Sequence, residues 1–321
     1  MTAPSRIPFV PPASPRAARW LLVLAAVLWS SGSFFMRVLR EPTAFDLNDP
    51  VLTPVQIAFW RGLFAGLVLI PLVRPRDVRF RPPMIGMVSC FAVMSGLYLS
   101  ALGLGPAANA ILLQNTAPVW VYFVGVYLLG HAADGRALRS TLLAMVGAGI
   151  IVAGNWPRDL PPDEQRSQIA ILLMAASSGV MYSGVVLFLG HLKAESPAYL
   201  MVLNLIGSAV CLGSFVLVYS GPREFLDWLI APTARQLMFL AFFGAVQMAL
   251  PYWLFARGLK SVSAQEAAVI TLLEPVLNPI WAYLIAPDKE VPTVWTVTGG
   301  LVLLAALAWR YMPTRKLHNL G

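Results

Sequence analysis

Ten long apolar stretches constrain this chain more than any other feature. They run over about 20–38, 53–73, 83–103, 106–129, 138–155, 168–190, 197–219, 235–256, 262–286 and 293–311. Each is near the roughly 20 residues a helix needs to cross a bilayer. Polar, turn-forming breaks separate them, such as Arg74 to Pro83, His131 to Arg136 and Pro287 to Pro292. In lipid a segment must satisfy its own backbone hydrogen bonds, which a helix does. Composition agrees: 58% of residues are hydrophobic and 12% charged, about half the charged share of a soluble domain. The chain is therefore expected to be an all-α polytopic membrane protein with ten transmembrane helices.

The net charge of +8 reads as membrane orientation rather than nucleic-acid binding. With the N-terminus cytoplasmic and the spans alternating, 15 of the 23 Lys and Arg fall inside, 7 outside, and Arg61 within a span. That bias predicts cytoplasmic N- and C-termini, as an even number of spans requires. Residues 1–19, rich in Pro and Ala with Arg6, Arg16 and Arg19, predict a disordered cytoplasmic tail. Followed by the run after Trp20, they look like a signal peptide. No small-residue cleavage pattern follows, however, and Trp29, Phe34, Phe35 and Met36 continue the run, so it is read as a first span.

Ten spans divide into five and five, and an odd unit that is duplicated inserts upside down the second time. The expected layout is a first five-helix repeat over 20–155, an extracytoplasmic linker at 156–167, a second repeat over 168–311 and a cytoplasmic tail at 312–321. Two stretches carry the repeat signal. Tyr98 to Asn109 leads into Gln114-Asn-Thr-Ala-Pro118, and Tyr252 to Ala264 leads into Thr271-Leu-Leu-Glu-Pro275. Each has a small-residue entry, a polar residue near mid-span and then a proline.

These residues resemble the drug/metabolite transporter superfamily, specifically its EamA-type carriers. Leu28-Trp-Ser-Ser-Gly-Ser-Phe34 is similar to the family's Trp-Gly-x-x-Phe opening, and Phe59-Trp-Arg-Gly62 to its aromatic-x-Arg entry. Ala107 to Pro118 and Ala264 to Pro275 resemble the small-residue helix ending in Pro that occurs once per repeat. The resemblance covers about residues 20–311. It departs after the fourth and ninth spans, where Gly130-His131 and Asp288-Lys-Glu290 replace the frequent Gly-Glu. It implies two inverted five-helix repeats around a central cavity in a bacterial cytoplasmic (inner) membrane. It also implies transport of small organic solutes, often export of amino acids or related metabolites.

Three ionisable residues are read as lying within spans: Arg61, Glu266 and Glu274. Carboxylates at membrane depth are costly and are functional candidates by default. Arg61 and Glu274 differ in depth by only about 5 Å at 1.5 Å per residue. Two readings stay open: a structural ion pair between helices, or contact with solute, with Glu274 as a proton-coupling group. Glu266, near Arg257 and Lys260, is read as interfacial. Helical spacing places Thr271, Glu274, Asn278 and Trp281 in one stripe of the ninth span, and Asn109, Thr116 and Trp120 on one face of the fourth. Gln114 points away from that face and is expected to bond a neighbouring helix. Among aromatics, Tyr98 and Tyr252 are the favoured cavity residues, ahead of Trp29, Tyr182 and Trp253. Gly147, Gly149, Gly299 and Gly300 suit close helix packing or a homodimer contact.

Other functional classes find little support. No phosphate-binding glycine loop with Lys-Ser/Thr is present. His131, His191 and His318 are scattered, and Cys90 and Cys211 have no paired spacing and read as core residues. No metal or cofactor is expected. The partners are a small-molecule solute and membrane lipid, without nucleic acid. A phosphorylated or nucleotide-linked sugar would want several deep cations where only Arg61 is evident. A channel or lipid scramblase would be expected to show a repeated filter or rings of like residues.

Overall fold

A computed structural model of the chain describes residues 14–130, 132 and 134–312. The expected tails at 1–13 and 313–321 lie outside the described residues. Among the described residues there are no strands, and ten helices are long and apolar enough to cross a membrane. They are, in order, Pro15–Arg40, Pro54–Leu72, Pro83–Leu104, Ala107–Leu128, Gly135–Gly154, Pro162–His191, Pro197–Ser220, Ala234–Gly258, Glu266–Ile285 and Val294–Tyr311. The protein is an integral membrane protein of ten spans.

Local chemistry sets several boundaries. The first helix starts at Pro15 rather than Trp20, because the Ser14 hydroxyl accepts from the Ala17 amide and Pro15 occupies the first turn. The sixth starts at Pro162, inside the expected linker, with Asp163 and Glu164 in its first turn. Thr53 with Gln56, and Thr233 with Gln236, form reciprocal capping boxes on the second and eighth spans. The same glutamines also tie down loops. Gln236 Nε2 donates to the Leu47 and Pro50 carbonyls, both at 2.9 Å, and Gln56 Nε2 donates to the Trp228 carbonyl.

Packing between the halves has two-fold character. The second span packs on the seventh, the fourth on the ninth and the fifth on the tenth. The third packs on the sixth, and correspondingly the eighth on the first. Exchanging each span for its counterpart five places on leaves this pattern unchanged, as two inverted repeats require. Alternation puts the start of the first span and the end of the tenth on one side, here the terminus side. There Arg19 Nε meets Glu266 Oε1 at 2.5 Å, and Arg136 Nη2 donates to the Trp309 and Met312 carbonyls. Glu266 is thus at an end of the bundle, paired with Arg19 instead of Arg257 or Lys260.

The two sides are filled differently. One large apolar cluster includes Phe35, Met36, Leu39, Leu99, Leu102, Ile111, Leu240 and Phe243. These residues belong to the last turns of the first and third spans and the early turns of the fourth and eighth, so the cluster occupies the far side. Large side chains on the outer surface, such as Val218, Leu301 and Ile85, are exposed in this chain alone, as lipid-facing residues are. Cys211 is also on the outer surface, not in the core, while Cys90 is half-buried.

The fifth and tenth spans approach more closely than any side chain allows. A Cβ on Gly147 would lie 2.6 Å from the Gly299 carbonyl oxygen, and one on Gly299 would lie 2.5 Å from that of Gly147. Here the small residues serve packing within one chain. Gly149, one turn side away, faces open space. Gly299→Ala is expected to cost about 1–3 kcal/mol by overpacking, seen as a lower midpoint of thermal unfolding in detergent. Gly149→Ala should leave that midpoint unchanged.

Candidate solute cavity

Two span interruptions shape the centre of the molecule. A proline has no amide hydrogen, so Pro118 cannot bond the Gln114 carbonyl, nor Pro275 that of Thr271. The fourth span breaks between the helical segments Ala107–Gln114 and Ala117–Phe123, and the ninth between Ala264–Thr271 and Leu273–Ile285. Freed carbonyls at membrane depth need protein or water beside them. A cavity of about 290 Å³ lies at these breaks, bordered by Gln114 and Asn115 from one and Thr271, Leu272 and Glu274 from the other. Gly179 of the sixth span permits the close packing there: a Cβ would lie 2.7 Å from the Leu113 carbonyl and 2.6 Å from Thr116 Oγ1.

The remaining wall is mainly aromatic. Trp29, Phe91, Tyr98, Tyr182, Tyr252 and Phe255 contribute, with Trp29 meeting Tyr252 edge-on at 5.1 Å between centroids. The lining reaches towards the terminus side at Phe255, about one turn from the end of its helix, while Thr271 stands at the mid-span break. On the far side it stops at Arg61, Tyr98 and Gln114, each about two turns, or roughly 10 Å, short of its helix end. The cavity lies near mid-depth and comes closest to an end of the bundle on the terminus side, at Phe255, while the apolar cluster fills the far side.

Arg61 and Glu274 share this cavity but form no salt bridge with each other. Arg61 is 4% exposed. Its Nη1 donates to Gln247 Oε1 at 3.1 Å, and its guanidinium lies 5.3 Å from the Phe243 ring centroid. Gln247 in turn donates from Nε2 to the Trp29 carbonyl at 2.9 Å. It sits on a π-helical turn, Gly244–Ala249, where Gly244 lies against the backbone of Arg61 and Ala65. Glu274 has no hydrogen-bond or ion-pair partner among the described residues. It occupies the first turn of the helical segment restarting at Leu273, where the helix dipole favours negative charge. The site thus presents a cation fixed by protein and an anion left free.

Of the residues singled out from sequence, Arg61, Tyr98, Tyr252, Thr271 and Glu274 line this cavity. The others lie elsewhere. Asn109 Oδ1 accepts from Thr296 Oγ1 at 2.7 Å, joining the fourth span to the tenth. Thr116 Oγ1 donates to the Leu113 carbonyl and accepts from Trp120 Nε1, and both residues border a separate apolar pocket against the fifth span. Trp281 Nε1 donates to Ser30 Oγ at 2.9 Å, and the Asn278 carbonyl accepts from Ser33 Oγ at 2.5 Å. The ninth-span stripe is continuous, but its upper half faces the first span beyond the cavity. Asn278 is fully buried with its side-chain amide unpaired, an arrangement costing about 1–3 kcal/mol.

Two readings need correction. Gln114 faces the cavity rather than bonding a neighbouring helix, because the helix break directs it there. Arg37, one of the seven cations counted as outside, sits within the first helix, which runs to Arg40, and is 4% exposed. Trp29 and Tyr182 line the cavity although they ranked below Tyr98 and Tyr252, whereas Trp253 packs under Arg257 at 4.6 Å. Gln247 went unnoticed in the sequence, where nothing marks it apart from a polar side chain in an apolar run.

The model of the EamA-like transporter family matches the chain twice, over residues 17–153 and 169–312. The chain belongs to the EamA-like transporter family. Its relatives include an uncharacterized transporter of Archaeoglobus fulgidus, 28% identical over 295 residues that cover 90% of this chain and 95% of the relative. The uncharacterized transporter YwfM of Bacillus subtilis is 22% identical over 297 residues, covering 89% and 93%. A solved crystal structure shares the fold with a TM-score of 0.60 at 15% identity, covering 95% of this chain and 100% of that one. As an EamA-like transporter, the protein is a membrane transporter whose two family units meet at the cavity. The proline breaks and the tyrosines Tyr98 and Tyr252 come one from each unit.

Gln247→Ala removes the acceptor of Arg61 and the donor to the Trp29 carbonyl. The expected loss is about 1.5–3 kcal/mol, the range for bonds to a charged group. Thermal unfolding in detergent checks it: a midpoint equal to that of the native protein would mean that Gln247 does not hold Arg61.

Proposed function

We propose that this EamA-like transporter carries a small zwitterionic or neutral organic solute, an amino acid or related metabolite, by alternating access. One observation carries the reading: the cavity holds one guanidinium and one carboxylate that do not neutralise each other. A solute bearing both charges would complete both, its carboxylate on Arg61 and its amine on Glu274. The aromatic wall suits an apolar or aromatic side chain or the solute's cationic end. The volume, at the lower end of small-molecule pockets, suits a metabolite. A phosphorylated or nucleotide-linked sugar is less well matched, because Arg61 is the cavity's one cation among the described residues.

Orientation and direction follow in the same reading. The cation bias puts both termini in the cytoplasm. The cavity then draws solute from the cytoplasm, which supports export. The broken fourth and ninth spans give each repeat a joint at the solute, so that the halves rock around it. Glu274, free of protein partners, is the group placed to exchange a proton when no solute amine is bound.

The test is counterflow and pH-dependent flux in proteoliposomes, with a panel of labelled amino acids. Arg61→Gln and Glu274→Gln are each expected to lower flux more than about tenfold, as losing one partner of a buried charged contact does. Glu274→Gln should also flatten the pH profile. Unchanged flux with an unchanged pH profile would remove Glu274 from the mechanism, and loss of folding shared by both variants would favour a purely structural role.

A further inference from the structure

We propose that Arg37 and Glu290 form the releasable lock of a gate that closes the far side of the cavity. The inference rests on the alternating-access reading and adds to it the residues that hold one face shut.

Three parts of the chain meet at this pair. Arg37 ends the first span, and Glu290 lies in the loop between the ninth and tenth. Glu290 Oε1 contacts Arg37 Nη2, and its Oε2 accepts from the Ala107 amide, which opens the fourth span, at 2.9 Å. Arg37 Nη2 also donates to the Gly105 carbonyl at 2.6 Å, in the turn between the third and fourth spans. Both side chains are almost sealed from solvent, at 4% and 3% exposure. The pair thus ties the first span to the ends of the fourth and ninth, the two spans that break at the cavity. Opening the far side must separate them.

A permanent staple would be built differently. A buried ion pair is often no more stabilising than apolar residues of similar volume, and the large apolar cluster lies directly beneath. The polar satisfaction is incomplete: Arg37 Nε has no hydrogen-bond partner among the described residues. Burial raises the Glu290 carboxyl above its ordinary range, against the pull of Arg37 and the Ala107 amide. The charge is held there at a cost. A replacement partner also stands ready. Glu41, one turn along the same helix, has Oε1 3.7 Å from Arg37 Nη1 and is itself paired with Lys289 Nζ at 2.6 Å. When the loop leaves, Arg37 can turn to Glu41, while Glu290 and Lys289 depart together into water.

Among the described residues the terminus side has no equally buried pair. The counterpart loop, between the fourth and fifth spans, has Asp134 as its carboxylate, and Asp134 accepts from the Arg136 and Ala137 amides of its own helix. The ion pairs there, Arg19–Glu266 and Arg81–Glu195, each have an arginine side chain 55% exposed, and exposed pairs hold weakly. A lock on one face alone biases the empty carrier towards the state seen here.

The experiment needs no solute. In a Cys90→Ala/Cys211→Ala background, Asn115→Cys places a reporter thiol in the cavity. A membrane-impermeant maleimide is applied to oriented vesicles from each side in turn. The native lock should give labelling from the terminus side and slow labelling from the far side. Arg37→Gln leaves Glu290 buried without its cation, and Glu290→Gln takes from Arg37 the carboxylate that ties it to the loop; either should open the gate and speed far-side labelling about tenfold or more. Replacing both ions, Arg37→Leu with Glu290→Leu, removes the buried charge and should restore slow labelling, which covers the case in which a single variant fails to fold. Far-side labelling that stays slow in folded single variants overturns the lock, and so does a double variant that labels as fast as the single ones. A protein that transports no amino acid yet shows the expected labelling would sink the solute assignment and leave the lock standing.

Discussion

Hydrocarbon gives a backbone amide or carbonyl nothing to bond with, so every polar group the chain leaves open inside the membrane must be answered by protein or water. The fold turns on where that demand is broken. The first span is interrupted at Ser31 without a proline, and the eighth passes through a π-helical turn before Pro251. The fourth and ninth split at Asn115 and Leu272, a turn before Pro118 and Pro275. The freed carbonyls, the polar side chains beside them and the cavity occur at one place because they share that cause. Pro279 lies inside the helical segment bearing Glu274 and removes one further backbone hydrogen bond from it.

The two repeats agree in frame and differ in charge. Each supplies a tyrosine and a broken helix to the cavity, and their packing partners interchange under the two-fold relation. Yet the ninth span carries Glu274 where the fourth has Pro118's neighbour Ala117, and the far-side loop carries a buried Glu290 where its counterpart has a helix cap. Under the proposed alternating access, symmetry would give such a molecule two faces able to open, and the charges make those faces unequal. A perfectly symmetric carrier would have no preferred face when empty.

The spans themselves were legible because hydropathy and proline position are local signals. So were Tyr98 and Tyr252, which recur at matching points of the repeat, and the polar stripe of the ninth span. What the stripe faces was not legible: Thr271 and Glu274 meet the cavity while Asn278 and Trp281 meet the first span, a difference set by where the helices cross. Gln114 was misplaced because a helical wheel assumes a continuous helix, and the break at Asn115 removes that assumption. Arg37, Gln247 and Glu290 were missed for a related reason. Each depends on a partner distant in sequence, and hydropathy assigns an arginine near a span end to the loop even when its guanidinium turns inward.

The apolar cluster of the far side has a thermal consequence. In the proposed opening, separating Phe35, Leu39, Leu102 and Phe243 would wet apolar surface, whereas the cavity is lined largely by polar and aromatic groups. Wetting apolar surface raises heat capacity, and its free-energy cost falls on cooling. The balance between the two faces must therefore curve with temperature. The apolar share of a far-side closure would be weakest in the cold.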